Sequence, residues 1–279
     1  MEQLAEHRSF YADMITASAG VNKGSVRAAF AATPREQYLG KGPWKVVTPG
    51  GFVETPSDDP RFLYQDVLVA LSETGPLNNG QPSLHALCLA ALNVKPGEAI
   101  VHVGAGTGYY TAILASLTGP TGSVAAYEIE KELASLATRN LAEFPNVTVS
   151  ARSGSEPGLP CCDVLYVNAG ATAPLDTWLD VLRADGRLLF PLTPDEGFGG
   201  MLLVTRCSKD AFKARFLSRV MFVPCMGARD QETAKRLKRM FQDESFERVQ
   251  SLHRNTQPDE TCWFAGKGWW LSSARQKDV

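Results

Sequence analysis

The chain lacks the marks of several protein classes. Its six cysteines include no CxxC pair and no spacing with histidine that suits zinc. No window approaches the run of ~20 apolar residues that a membrane-spanning helix needs. The first residues mix acidic and basic side chains, unlike a secretory signal. We therefore expect reduced thiols, no metal site, no membrane contact and a cytoplasmic location.

An excess of charge of one sign is also absent. Lys and Arg number 28 against 30 Asp and Glu, which gives a net charge of -2. A nucleic-acid partner usually requires a basic surface, so this balance argues against one. Hydrophobic residues make up 44% and charged residues 21% of the 279 residues, as is typical of a globular enzyme or binding protein.

Strands alternate with helices over the middle of the chain. The pattern predicts a helix from Pro82 to Leu92, a strand from Ala99 to Val103 and a helix from Tyr109 to Leu117. Further strands (SVAAYEI, NVTVSA, DVLYVN, GRLLFPL) and helices (131–143, 175–182) follow. This order predicts an α/β fold: a doubly wound, Rossmann-like sheet of seven strands, mostly parallel, with helices on both faces. The runs MLLVTR and FLSRVMFVP have no helix between them, so we expect an antiparallel hairpin at the sheet edge.

Composition divides the chain into three segments. Residues 1–75 are predicted to hold two helices and a Gly- and Pro-rich insertion (40–66) that forms a loop or two short strands. Residues 76–230 form the predicted α/β core, and residues 231–279 a charged helix and a Trp-rich extension. The tail CWFAGKGWW has two interpretations. We favour a hairpin packed on the domain, and the alternative is an exposed interaction surface.

A glycine loop joins the first core strand to the next helix. The segment VHVGAGTGYY places Gly104, Gly106 and Gly108 where the backbone can approach an electron-rich ligand. The following strand ends in Glu128, a position suited to holding two ribose hydroxyls. NAD sites prefer GxGxxG, and Tyr109 stands where the third glycine would be, which disfavours an NAD-linked oxidoreductase. No GxxxxGK[ST] run is present, which excludes a P-loop.

The loop and the acidic strand end resemble the cofactor site of class I methyltransferases, and the best match is the protein-L-isoaspartate O-methyltransferase family. Eight blocks follow the family's order from about Val26 to Gln231, among them VRAAFAATPREQYL, YQDVLVAL, GQPSLHALCLAAL and YEIEKELASLATRNL. The resemblance implies S-adenosyl-L-methionine as cofactor. It implies these cofactor-binding residues: His85, Gly104, Ala105, Gly106, Thr107, Gly108, Glu128, Ile129, Ser153 and Gln231.

The acceptor turn, LNNGQPSLHA (77–86), departs from the family it resembles. The family has a serine, regarded as the active-site hydroxyl, where this chain has Gly80. We expect Asn78, Asn79 and Ser83 to orient an acceptor carboxylate and Gly80 to admit its backbone. Asn78, Asn79 and Gly80 form the predicted catalytic set. Ordinary turn chemistry remains an alternative for both asparagines.

Three hypotheses for function follow. The first is an enzyme that methylates isoaspartyl carboxylates of damaged proteins. The second is a methyltransferase of the same fold whose acceptor is a small molecule or a modified peptide. The third is a non-catalytic S-adenosylmethionine-binding protein that acts through partners. The sequence does not predict the oligomeric state.

Overall fold

The computed structural model describes residues 2–72 and 75–276. The chain forms two compact units: Met1–Glu98 with Ala105–Arg152, and Ala99–Gly104 with Ser153–Val279. We call these the first unit and the second unit, in the order given. They differ from the three segments predicted from composition, and that three-part division stays a prediction. Residues 1, 73, 74 and 277–279 of the predicted segments lie outside the described residues.

Seven α-helices and twelve strands are assigned within the described residues. In chain order they are α1 (Glu2–Ser18), α2 (Gly24–Ala32), β1 (Lys45–Thr48), β2 (Gly51–Glu54), α3 (Pro82–Leu92), β3 (Ala99–Val103), α4 (Tyr109–Thr118), β4 (Ser123–Tyr127), α5 (Lys131–Asn140), β5 (Val147–Ser150), β6 (Cys162–Val167), α6 (Asp176–Leu179), β7 (Leu182–Leu192), β8 (Gly199–Arg206), β9 (Ala211–Val220), α7 (Gln231–Met240), β10 (Ser251–Arg254), β11 (Cys262–Ala265) and β12 (Trp269–Ser272).

The helices of the first unit follow local signals in the sequence. α1 and α2 are separated at Gly20, which has φ 63°, and α2 ends just before Pro34. α3 begins at Pro82, whose missing N–H is not needed in the first turn, and ends at Asn93 in the left-handed conformation. The predicted bounds of α3 and β3 are confirmed.

The insertion of the first unit contains two short strands. β1 pairs with β2 in antiparallel register, Lys45 opposite Glu54, which confirms the strand alternative for residues 40–66. Trp44, Leu63 and Val69 pack together beside it as a small buried cluster. The insertion is therefore anchored to the unit by a core of its own.

The second unit contains a mixed sheet. Its strands lie in the order β11-β12-β10-β9-β8-β7-β6-β3. β3, β6 and β7 are parallel, whereas the pairs from β7 to β11 are antiparallel. The first unit contains the parallel pair β4 and β5. The prediction of seven mostly parallel strands is therefore wrong, since the described second unit alone has eight and most of their pairings are antiparallel.

The strands after β7 are antiparallel instead of parallel, because no helix crosses over between β7 and β8. Short connections produce antiparallel neighbours, and the C-terminal extension adds β10, β12 and β11 beyond β9. The β8–β9 hairpin is therefore not at the edge, which corrects the predicted position. The helix predicted over 175–182 is only Asp176–Leu179, because Leu182 already begins β7.

The Trp-rich tail is a hairpin that belongs to the sheet. β11 pairs with β12, and β12 with β10. Trp269 is 6% exposed and Trp270 4% exposed. The packed-hairpin interpretation is thus confirmed, and the prediction of an exposed surface is wrong. Within the described part of the chain, no helix has the length and apolar character needed to cross a membrane.

Candidate active site

The glycine loop between β3 and α4 depends on backbone conformations that favour glycine. Gly104, Gly106 and Gly108 have φ values of 77°, 56° and 99°. A Cβ atom added to Gly108 would lie 2.9 Å from Leu141 Cδ1, so this residue also permits close packing at the start of α4. The Gly108 N–H donates to the Ala105 carbonyl over 3.0 Å, which closes the loop into a tight turn.

Glu128 follows β4 and holds the loop from within the first unit. Its Oε2 accepts a hydrogen bond from the Gly106 N–H at 2.6 Å, and its Oε1 accepts from the Glu130 N–H at 3.0 Å. Burial raises the pKa of the Glu128 carboxyl, while the N–H groups of Glu130 and Gly106 act in the opposite direction. The carboxylate is therefore oriented in advance, with oxygen lone pairs remaining for two hydroxyl donors.

Two further predicted residues flank this carboxylate. Ile129 is 44% exposed although it is a large apolar residue, so its side chain can pack against a flat ring. Thr107 is buried, and its carbonyl accepts a hydrogen bond from Asn140 Nδ2 at 2.9 Å. Asn140 at the end of α5 thus supports the loop, a role that the sequence pattern did not indicate.

His85 lies in the first turn of α3, near the end of the acceptor turn. Its side chain is 2% exposed, and its ring stacks on Tyr110 with centroids 3.5 Å apart and planes 10° apart. The ring is therefore fixed by an aromatic partner on α4, the helix that begins at the glycine loop.

The two asparagines of the acceptor turn have different surroundings. Asn78 forms an Asx turn, in which Oδ1 accepts from the Gly80 N–H at 2.9 Å and Nδ2 donates to the Pro76 carbonyl at 3.0 Å. Asn79 is 7% exposed, and its Oδ1 accepts from the Val69 N–H at 2.8 Å. Asn79 Nδ2 is buried and has no hydrogen-bond partner among the described residues.

Arg35 is a buried residue that the sequence analysis did not assign to the site. Its guanidinium is fully buried and donates to Asn79 Oδ1 at 3.2 Å. It also donates to the carbonyls of Leu63, Gln65 and Val67. Arg35 therefore ties the acceptor turn to the segment that carries Asp66. The PREQYL block offered a signal for it, because this arginine was part of the resemblance.

Asp66 holds the same turn from its more accessible side. Its Oδ1 accepts from the Ser83 N–H at 2.8 Å, and its Oδ2 accepts from Ser83 Oγ at 2.6 Å and Gln81 Nε2 at 3.0 Å. A carboxylate at the first turn of α3 is favoured by the free N–H groups there. The YQDVLVAL block contained this residue, although no role in the site was predicted for it.

In the second unit, two polar residues lie on neighbouring parallel strands: His102 is in β3, and Asn168 directly follows β6. His102 is fully buried, and its Nε2 lies 2.8 Å from Asn168 Nδ2. Burial lowers the pKa of His102 to about 3, so the ring is neutral at ordinary pH and packs as a core residue. A Cβ atom on Gly104 would lie 3.4 Å from the Asn168 backbone, an ordinary contact.

Ser153 and Gln231 lie on two further segments of the second unit. Ser153 Oγ lies 2.7 Å from Ser155 Oγ and donates to the Met226 carbonyl at 3.4 Å. Gln231 is exposed and is the first residue of α7. The N-cap residue of this helix is Asp230, whose Oδ1 accepts a hydrogen bond from the Thr233 N–H. The structure leaves the Gln231 side chain accessible in the first turn of that helix.

Comparison with known proteins identifies one family. A family model described as protein-L-isoaspartate(D-aspartate) O-methyltransferase (PCMT) matches residues 13–230. A protein-L-isoaspartate O-methyltransferase of Methanothermobacter thermautotrophicus is 27% identical over 214 residues, which cover 74% of this chain and 89% of the relative.

Two solved structures have the same fold. A protein-L-isoaspartate O-methyltransferase superposes with a TM-score of 0.66 at 22% identity, covering 84% of this chain and 69% of its own. A Plasmodium falciparum beta-aspartate methyltransferase (PCMT), solved with S-adenosyl-L-homocysteine, has a TM-score of 0.63 at 19% identity, with coverages of 78% and 97%.

Proposed function

Because this chain belongs to the protein-L-isoaspartate(D-aspartate) O-methyltransferase family, whose model matches residues 13–230, we infer that it methylates a carboxylate of damaged aspartyl residues in proteins. S-adenosylmethionine supplies the methyl group as an electrophile. The observation that carries this function is the family match, which spans most of the chain. The proposal is further supported by hydrogen bonds that fix the side chains of Glu128 and Asn79, two residues to which we assign roles in the reaction.

The cofactor residues of the first unit fit the group that they are proposed to hold. The buried Glu128 carboxylate is oriented by two backbone N–H groups and would accept hydrogen bonds from the ribose hydroxyls. The exposed Ile129 side chain would cover the adenine. Ala105, Gly106, Thr107 and Gly108 would line the ribose and methionine part, with His85 beside them. In the second unit, the same proposal assigns Gly104, Ser153 and Gln231 to cofactor binding.

The acceptor carboxylate needs alignment rather than a strong base, because it is already a nucleophile. Holding two reactants in attack geometry can be worth about 7 to 11 kcal/mol. We assign this alignment to the turn of Asn78, Asn79 and Gly80, with Asn79 held by Arg35 and Val69. Neutral amide groups orient a carboxylate without neutralising the charge that drives its attack.

A second candidate is a methyltransferase of the same fold with a small-molecule or modified-peptide acceptor. The glycine at residue 80, which offers no hydroxyl to the acceptor, is the observation that favours it. The non-catalytic hypothesis loses its main support because Trp269 and Trp270 are buried. We also propose a cytoplasmic location with no nucleic-acid or membrane partner. It is supported by the six cysteines, none of which forms a disulfide, and by the balanced charge.

Glu128→Gln tests the cofactor site together with the reaction. We expect this variant to bind S-adenosylmethionine about 10-fold to 100-fold more weakly in calorimetry, because a charged acceptor is replaced by a neutral amide. Glu130→Gln, an exposed carboxylate two residues later, is the matched control and should bind normally. Mass spectrometry of an isoaspartyl peptide should show one added methyl group with wild-type protein. An unmodified peptide, with the cofactor bound, would exclude the proposed acceptor.

A further inference from the structure

Gly80 and the ring of His85 occupy adjoining space within the first unit. Gly80 has φ +73°, a conformation that residues with a side chain rarely adopt. A Cβ atom added to Gly80 would lie 2.2 Å from His85 Nε2 and 2.9 Å from Cδ2. Any side chain at residue 80 therefore requires the His85 ring to move.

Several contacts fix that ring where it is. It stacks on Tyr110 at a centroid distance of 3.5 Å and is 2% exposed. The backbone N–H of His85 donates to the Gln81 carbonyl at 3.1 Å, which fixes the backbone of His85 in the first turn of α3. The Tyr110 hydroxyl in turn donates to the Gly80 carbonyl at 3.3 Å. Tyr110 thus contacts both the histidine ring and the glycine backbone.

We propose that Gly80 is the positioning residue of His85. Because residue 80 has no side chain, the His85 imidazole can stack on Tyr110. The conformation of the acceptor turn therefore determines the position of the histidine that is proposed to contact the cofactor. This inference rests on the proposed function, in which His85 contacts the cofactor. It follows that a serine at residue 80, which the resemblance implies for the family, is incompatible with this position of His85. Restoring the serine should therefore impair the enzyme.

The ring position can be read without any ligand. The chain has four histidines, so imidazole proton resonances of the whole protein are few, and the His85 signal is assigned by its loss in His85→Ala. Stacking on a tyrosine ring should shift this signal upfield in wild-type protein. Gly80→Ala and Gly80→Ser should move it towards the position of an unstacked imidazole. An unchanged signal in either variant would overturn the proposal.

Backbone strain must be separated from ring displacement. Gly20→Ala is the matched control, because Gly20 has φ +63° and a Cβ atom there meets nothing within 4 Å. This variant carries similar strain in the same unit without touching His85. It should lower the melting temperature slightly and leave both the His85 signal and cofactor affinity unchanged. Thermal unfolding of each variant confirms that it is folded.

The functional consequence is measured with S-adenosyl-L-homocysteine in calorimetry. Gly80→Ala and Gly80→Ser should weaken its affinity by about tenfold, or about 1.4 kcal/mol, and by similar amounts because the cause is steric. In the His85→Ala background, adding Gly80→Ser should change affinity by less than about twofold. Losses that multiply in the double variant would show that residue 80 acts independently of His85 and would contradict the proposal.

Failure of the proposed function would look different. Wild-type protein that does not methylate an isoaspartyl peptide would reject that function, whereas the ring signal would still report whether Gly80 positions His85. A displaced ring with unchanged affinity would reject the functional part of the inference.

Discussion

Arg35 is a buried cation whose described hydrogen bonds all go to uncharged acceptors. Its guanidinium reaches three carbonyls from residues 63–67 and the Asn79 side chain. The planar fork of arginine can serve several acceptors at fixed angles, which a lysine ammonium cannot do. This single residue therefore organises both the acceptor turn and the segment around Asp66.

Arg35→Lys should lower the free energy of unfolding by about 2 to 4 kcal/mol, because buried carbonyls lose their donors while a charge stays buried. Urea unfolding measures this change. Arg27→Lys is the control, since Arg27 forms a partly exposed ion pair with Asp13 and should change stability by less than about 1 kcal/mol. Equal effects of the two substitutions would contradict the role given to Arg35.

His102 gives stability a dependence on pH. Its pKa in the folded chain is about 3, against about 6.5 in the unfolded chain. Between these values only the unfolded chain binds the proton, so stability falls as pH falls from about 6.5 and returns as pH rises. We expect a loss of about 2 kcal/mol at about pH 5 relative to about pH 7.

The contribution of His102 can be isolated by substitution. His102→Gln should lack this part of the pH dependence in urea unfolding, because glutamine does not titrate. His7→Gln should retain it, since His7 is exposed on α1. The same slope with pH in His102→Gln and wild-type protein would mean that His102 is not the residue responsible.

Residues in short motifs were predictable from the sequence, whereas long-range partners were not. Gly106 and Glu128 were predicted as site residues from their positions at the ends of β3 and β4, and the structure joins them by a hydrogen bond. The contact between Arg35 and Asn79 links residues 44 positions apart, a distance that no periodicity reveals. The burial of Asn79 is likewise a tertiary property.

At the scale of elements, local signals defined α3 and β3 but not the order of strands. Pro82 and Asn93 delimit α3, and an uninterrupted apolar run defines β3, so their bounds could be predicted. The positions of β10, β11 and β12 in the sheet depend on pairing with β9. Such pairing is decided by packing between distant segments, and alternating hydrophobicity does not specify it.

Trp270 tests whether the C-terminal hairpin is structural. Its ring is 4% exposed and stacks on His253 at 4.3 Å, and its Nε1 donates to Thr256 Oγ1 at 3.0 Å. Trp270→Ala should cost about 3 to 5 kcal/mol in urea unfolding. Phe10→Ala, at a ring that is 70% exposed, should cost less than about 0.5 kcal/mol. A similarly small loss for Trp270→Ala would restore the interaction-surface hypothesis.

For the molecule as a whole, the thiols report how well both units are packed. Cys161 and Cys207 are exposed, Cys262 is intermediate, and Cys88, Cys162 and Cys225 are buried. Burial raises the pKa of Cys162 to about 12 and that of Cys225 to about 11. Since the thiolate is the reactive form, these two react slowly for electrostatic as well as steric reasons.

Titration with a chromogenic disulfide should therefore proceed in stages. The two exposed thiols should react first, Cys262 more slowly, and the three buried thiols only after denaturation. Cys161→Ser and Cys207→Ser should each remove one equivalent from the fast phase. Rapid reaction of all six thiols in the native protein would contradict the packing described for both units.

The central claim is tested most directly by the rate of methyl transfer from labelled S-adenosylmethionine to two peptides that differ only in an isoaspartyl or an aspartyl linkage. The family assignment predicts a kcat/KM for the isoaspartyl peptide at least about 100-fold higher. Equal rates for the two peptides, or no transfer to the isoaspartyl peptide while calorimetry shows the cofactor bound, would contradict it.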